Sequence, residues 1–169
     1  IFLKGDMPGV VMTYAEVELL LAEAKARWAG EITTGADASA HYENGVRAAI
    51  HFLEKFGAKA FDEQAIDTYL QANSLPAGGL DAQLTAINTQ LWILHFNNIP
   101  EGYANWRRTD IPVLLPSPHY GAVTIDSQTT PLRLCYPLFE SSYNPEGYQS
   151  AIQAMGGKDD WNSPVWWDK

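Results

Sequence analysis

The chain has 169 residues, enough for one domain with a sizeable core. A hydrophobic share of 46% and a charged share of 18% exclude a disordered chain, and the net charge of −9 disfavours nucleic acid and anionic membranes as partners. The single cysteine, Cys135, excludes an internal disulfide or a cysteine zinc cage, so packing alone has to hold the fold.

The first residue is Ile1, and no charged segment precedes an apolar run. Either a leader has been removed or the chain is a piece of something longer. No window approaches the roughly 20 apolar residues of a membrane span. The first helix is expected from Thr13 to Trp28. Thr13 and Glu16 have the spacing of a capping box, and Gly30 stands where a left-handed cap is expected. Its apolar residues fall on two opposite faces. Tyr14, Val17, Leu21, Ala24 and Trp28 form one, and Ala15, Leu19, Ala22 and Ala26 form the other. The large-residue face is assigned to the next helix. The small-residue face, which permits close approach, is assigned to a part of the protein outside this sequence.

A second helix is expected over Ala38 to Phe56, ended by Gly57. Tyr42, Val46, Ala49, Leu53 and Phe56 share its inner face. The two helices read as an antiparallel hairpin. A third, shorter helix is expected over Asp62 to Ala72. A fourth runs from Leu80 to Phe96 with Asp81 as cap. No Asp, Glu, Lys or Arg occurs from Ala82 to Pro100, which suits a buried helix. Helix pairs joined by short loops suggest a tetratricopeptide-like array, although the period is not clean enough for true repeats.

The character changes after Pro100. Seven of the ten prolines lie between Pro100 and Pro145. The stretches "IPVLLPSPHYG" and "TTPLRLCYPLFE" read as extended, with a short strand near Leu132 to Tyr136. A last helix is expected with Asn144 as cap, Pro145 at its first position and Gly156 as its stop. The expected fold is therefore mainly α. Helical hairpins fill residues 13–96, and a Pro-rich, loop-dominated region with little strand fills residues 97–169.

No catalytic or cofactor motif is present. His41, His51, His95 and His119 lack metal-ligand spacing, and there is no nucleophile elbow, P-loop or dinucleotide fingerprint. Cys135 has only Arg133 nearby and reads as an inert thiol. The acids Glu101, Asp110 and Glu140 have no spacing that singles out a glycosidase pair. In "ANWRRTDIP", residues 104–112, an arginine pair beside an aromatic reads either as a clamp for a carboxylate or sugar hydroxyl, or as a fork to backbone carbonyls with Trp106 covering a guanidinium face.

The order of "MTYAEVELLLAEAKARWAG", "YENGVRAAI", "EGYANWRRTDIP", "PLRLCYPLFESSYN" and "PVWWDK" resembles the C-terminal half of the SusD/RagB family, from Met12 to Asp168. The family pattern usually has Gly where Asp110 stands. The resemblance implies a non-enzymatic, cofactor-free, lipid-anchored protein at the bacterial cell surface, part of a polysaccharide-utilisation system. It would capture a glycan or other nutrient for a SusC-like TonB-dependent transporter. The lipid anchor would sit on an N-terminal cysteine outside this chain, and the partners would include the N-terminal half of the same protein. The resemblance also implies that Trp106, Arg107, Arg108, Arg133, Tyr136, Trp166, Trp167 and Asp168 serve the scaffold. Tyr103, Tyr120, Tyr143 and Trp161 are then the candidates for sugar contact. A helical-repeat adaptor for peptides is the competing reading, and a glycoside hydrolase the third.

Overall fold

A computed structural model describes residues 9–114 and 130–165. The chain divides into two compact units, the first ending at Pro112 and the second beginning at Val113. Among the described residues there are helices and turns and no strand.

The first unit holds five α-helices: α1 (Tyr14–Arg27), α2 (Ala38–Phe52), α3 (Glu63–Ala72), α4 (Leu80–Leu94) and α5 (Ile99–Thr109). Short-range chemistry sets most of their ends. Thr13 Oγ1 accepts the Glu16 N–H at 3.0 Å, Asp37 caps α2 through the Ala40 N–H at 2.8 Å, and Asp62 caps α3. One 3₁₀ turn, Leu53–Phe56, continues α2 and ends at Gly57, whose φ of 86° closes it in the left-handed region. A second 3₁₀ turn, His95–Asn97, carries α4 into α5.

Two expected ends differ, and one helix is unexpected. Asp81 lies inside the first turn of α4, where its charge favours the helix N-terminus, and the capping position is Gly79. Gly30 is not left-handed. α1 ends at Trp28 with φ −123° and leaves through a turn in which the Glu31 and Ile32 N–H groups bond to Trp28 O. α5 was not foreseen at all, because its length falls inside the segment read as loop-rich. Pro100 fits the first turn of a helix, where no N–H is needed, and the loop character begins only after Thr109.

The core of this unit is a cluster of Leu19, Ala22, Tyr42, Val46, Ile66, Leu70, Leu75, Ile87 and Leu91. Each large aliphatic side chain in it contributes about 1.5–3 kcal/mol of burial. The one polar intruder, the Tyr42 hydroxyl, donates to Asn73 O at 2.9 Å and is satisfied.

The assignment of the two α1 faces is reversed in the structure. Ala15, Leu19 and Ala22 are the buried face, at 1% exposure or less, and they pack inside this unit. Tyr14, Val17, Leu21 and Trp28 point outward and are 37–63% exposed. Gly45 shows why. A Cβ on it would lie 2.8 Å from Leu19 Cγ and 3.2 Å from Ala15 O, so the α1 and α2 backbones approach as closely as a glycine and an alanine allow. Small residues facing each other bury more backbone and leave no void, which the bulky Tyr14 and Trp28 side chains cannot match.

The second unit is described over residues 113–114 and 130–165. It contains α6 (Glu140–Tyr143) and α7 (Pro145–Ala154). Asn144 Oδ1 accepts the Gly147 N–H, Pro145 opens α7, and Gly156 follows at φ 91°. The strand expected near Leu132 to Tyr136 is absent. The Leu132 N–H instead makes one bond, to Trp161 O at 2.8 Å, and the Tyr136 N–H is taken by a side chain. A single bond of this kind cannot build a ladder.

Candidate functional site

The arginine pair lies in the last turn of α5, where its charge also favours the helix C-terminus. Arg108 reaches across to α1. Its Nη1 and Nη2 donate to Glu23 Oε1 and Oε2 at 2.6 and 2.8 Å, and Nη2 also donates to Asn105 Oδ1 at 2.7 Å and toward Asn88 Oδ1 at 3.4 Å. Asn105 in turn donates to Asn88 Oδ1 at 3.0 Å. On the other side of Glu23, Arg27 Nε donates to Oε1 at 2.7 Å. The result ties α1, α4 and α5 together through one carboxylate. Burial pushes the Glu23 carboxyl up, but hydrogen bonds and charge from Arg108 and Arg27 outweigh it and hold the group below its ordinary value. The fork to backbone carbonyls expected of the arginine pair is not what Arg108 makes: its acceptors are side chains, and it is 42% exposed.

Arg107 lies over the Tyr103 ring, 5.6 Å from its centroid, and Tyr103 stacks against Trp106 at 6.1 Å and 18°. The ring beneath the guanidinium is thus Tyr103 and not Trp106. Trp106 is buried, and its indole N–H donates to Pro112 O at 3.1 Å. Asp110 ends α5 with φ 56° and ψ 22°, the left-handed conformation.

In the second unit the organising residue is Asp159. The Tyr136 N–H donates to its two carboxylate oxygens at 3.2 and 3.1 Å, and Arg133 Nη1 lies 3.1 Å from Oδ1. Tyr148 Oη donates to Oδ2 at 3.4 Å. The Arg133 guanidinium also covers the Tyr136 ring at 5.1 Å. Burial, then the charge of Asp159, raises the Cys135 thiol, which opposes a thiolate nucleophile there.

Of the grooves that open among the described residues of the first unit, two bear on ligand binding. One, of about 690 Å³, lies among α2, α3 and α4 and is lined by Phe52, Phe61, Tyr69, Trp92, Ile93 and Phe96 among others. Its few polar groups include Gln90, which donates to Tyr69 Oη at 3.0 Å. The other, of about 470 Å³, lies among α1, α4 and α5 and mixes Leu20, Ala24 and Trp28 with Glu16, Glu23, Arg27, His95, Glu101, Asn105 and Arg108. A sugar needs both a flat apolar face and polar groups at its edges. The second groove meets that description better, although its Arg108 donors are already engaged.

Of the four expected sugar contacts, Tyr103, Tyr143 and Trp161 lie among the described residues. Tyr103 belongs to the stack on α5 in the first unit. Tyr143 and Trp161 belong to the second unit. Tyr143 is 86% exposed with Phe139 edge-on at 6.2 Å, whereas Trp161 is half-buried and its carbonyl accepts the Leu132 N–H. Tyr120, Trp166, Trp167 and Asp168 lie outside the described residues. Sequence reasoning missed Glu23, Asn88, Asn105 and Asp159. Asn88 and Asn105 had a weak signal, since each is an amide in a helix that otherwise needs apolar or charged residues. Glu23 and Asp159 had none, because their partners are distant in sequence.

The family model described as "starch-binding associating with outer membrane" matches residues 2–137. Among solved structures, a chitin-binding protein is 40% identical with a TM-score of 0.76, and the match covers 96% of this chain and 34% of that one. A SusD-like protein from Bacteroidetes is 38% identical with a TM-score of 0.82, covering 99% of this chain and 32% of its own. A SusD homologue from Bacteroides fragilis is 32% identical with a TM-score of 0.72 over 92% of this chain. No curated protein matches the chain. The chain spans about a third of the length of these solved relatives. With a family model covering most of the sequence and an all-helical structure that superposes on its members, this chain belongs to the SusD-like family.

Proposed function

We propose that this chain is the C-terminal part of a larger SusD-like domain that binds glycan at the outer surface of the outer membrane, without cleaving it, and hands it to a SusC-like TonB-dependent transporter. A lipid anchor on an N-terminal cysteine outside this sequence would hold it there. The observation that carries this reading is the family match over residues 2–137, together with 40% identity to a chitin-binding protein. Chitin-type and starch-type oligosaccharides are therefore the first ligands to test.

The local chemistry supports a binding role. Trp106, Arg107, Arg108, Arg133 and Tyr136 are engaged in stacks and ion pairs, which suits scaffold duty. Of the described sugar-contact candidates, Tyr143 has the ring most open to stack on a pyranose. Tyr103 and Trp161 stand behind it, and Tyr120 remains a candidate from the sequence.

Titration calorimetry of the full-length protein with chitohexaose and maltoheptaose tests the reading. Binding of at least one is expected, with no shortening of either on prolonged incubation. Tyr143→Ala should weaken binding about fivefold, the equivalent of about 1 kcal/mol. Absence of binding to both sugars, or release of new reducing ends by the purified protein, would count against it.

A further inference from the structure

We infer that His51 is a proton-operated clasp. As the imidazolium it holds the start of α3 and the loop before it against α2, and on losing its proton it lets them go. The inference stands apart from the glycan-binding reading.

His51 lies in the last turn of α2, and its two ring nitrogens face carboxylates on two other elements. Nδ1 donates to Glu54 Oε1 at 3.0 Å, on the 3₁₀ turn that continues α2. Nε2 lies 2.9 Å from Oε1 of Glu63, the first residue of α3. A neutral imidazole has one N–H and one lone pair, and only the imidazolium presents a proton to both carboxylates. Once one proton is gone, a lone pair faces a carboxylate oxygen and repels it. Glu54 is three residues away and also accepts the Phe61 N–H at 3.1 Å, so the contact with Glu63 is the one given up. A hydrogen bond to Glu54 raises the imidazole above its ordinary 6.5. Burial opposes this, and the charges of Glu54 and Glu63 add to it. The sign follows: the clasp is fully closed below pH 6.5 and opens as pH rises through the folded value.

The other charges around His51 limit how far the opening spreads. Arg47, one turn earlier on α2, donates to Glu63 Oε2 at 2.6 Å and to Asp67. Lys55 follows Glu54 on the 3₁₀ turn, and the connecting loop carries Lys59 and Asp62, the latter engaged in capping α3. α4 brings no charge to this side, since no Asp, Glu, Lys or Arg occurs from Ala82 to Pro100. Arg47 and the buried Ile66 and Leu70 therefore keep the body of α3 in place. The freedom gained is confined to residues 58–63. Phe61 belongs to that segment and lines the 690 Å³ groove among α2, α3 and α4, so the clasp sets one wall of the groove.

Two measurements on the full-length protein test this. The first is titration of the His51 ring by NMR with ring-labelled histidine, its signal assigned by loss in His51→Gln. The midpoint is expected above 6.5, and Glu63→Gln should lower it by about 0.5, the scale of an exposed ion pair. The second is amide hydrogen exchange over residues 58–63, corrected for the intrinsic pH dependence of the chemistry. Protection there should fall about threefold between about pH 5.5 and pH 8.5, again the scale of an exposed ion pair, while α4 stays unchanged. In His51→Gln the segment should show the low protection at both pH values. A midpoint at or below 6.5, or one that Glu63→Gln leaves unmoved, overturns the clasp. So does protection of residues 58–63 that is independent of pH in the wild type, or that falls equally in His51→Gln.

Discussion

Glu23 gives up most of its hydration on α1, with its side chain only 6% exposed, and two guanidinium groups replace the lost water. Removing Arg108 leaves Arg27 as the remaining cation and strands Asn88 and Asn105 around a void. Arg108→Ala should therefore lower stability at pH 7 by about 2 kcal/mol, a figure at the lower end for charged hydrogen bonds because the arginine is 42% exposed. The pH dependence has a definite sign. Glu23 has a depressed carboxyl in the folded state, so its contribution is fully present above the usual carboxylate range and is lost as pH falls through the folded value. The gap between wild type and Arg108→Ala should close on acidification, and urea midpoints measured from pH 7 down to pH 3 would show it. Asp110 offers the opposite opportunity. It occupies the left-handed region at φ 56°, where a side chain other than glycine carries a steric cost, although aspartate tolerates it better than most. Asp110→Gly should raise stability by about 0.5–1 kcal/mol, the relief at this position exceeding the extra chain entropy of glycine. Thermal denaturation that moves downward instead would mean that the Asp110 carboxylate has a stabilising role of its own.

At the scale of the element, the α1–α2 hairpin decides the packing of the first unit. Leu19 is fully buried and lies over Gly45. Gly45→Ala should gain roughly 1 kcal/mol of helix propensity. Against this, the new methyl would stand 2.8 Å from Leu19 Cγ and 3.2 Å from Ala15 O, and neither a buried leucine nor a backbone carbonyl yields cheaply. Overpacking of this kind costs about 1–3 kcal/mol, so the net expectation is destabilisation by about 1 kcal/mol. Chemical denaturation of the variant checks it, and a stability gain would mean that the two helices can move apart without loss. α5 depends on its neighbours in a different way. Its buried residues are Gly102 and Trp106, and the Arg108–Glu23 tie anchors its end to α1. The arginine pair within its eleven residues announces a tie, but not the carboxylate on α1 that receives it.

At the scale of the molecule, an acidic chain with one cysteine and no catalytic motif matches a family of binding proteins. No helix among the described residues is long and apolar enough to cross a membrane. The exposed apolar area also has a pattern. In α1 it is a continuous seam, and in the groove among α2, α3 and α4 it is a concave surface lined by Phe52, Phe61 and Phe96. Scattered surface apolar residues need no explanation, but these two are organised and adjoin a well-packed core.

What the amino-acid sequence determined by itself is the set of features that act within a turn or two. Thr13, Asp62 and Asn144 mark helix starts because their side chains bond to N–H groups two or three residues away. Gly57 and Gly156 mark stops because only the local backbone conformation is at stake. The order of five motifs pointed to the SusD/RagB family for the same reason, since motif order needs no knowledge of contacts. Tertiary structure alone decided which face of α1 turns inward, that residues 99–109 form a helix, and that Arg108 pairs with a carboxylate. Each of these depends on a partner far along the chain: Gly45 lies 26 residues from Leu19, and Glu23 lies 85 residues from Arg108. Both faces of α1 are apolar, so periodicity cannot choose between them. The choice falls to the closeness of approach that Gly45 permits, which exists only once α1 and α2 have met.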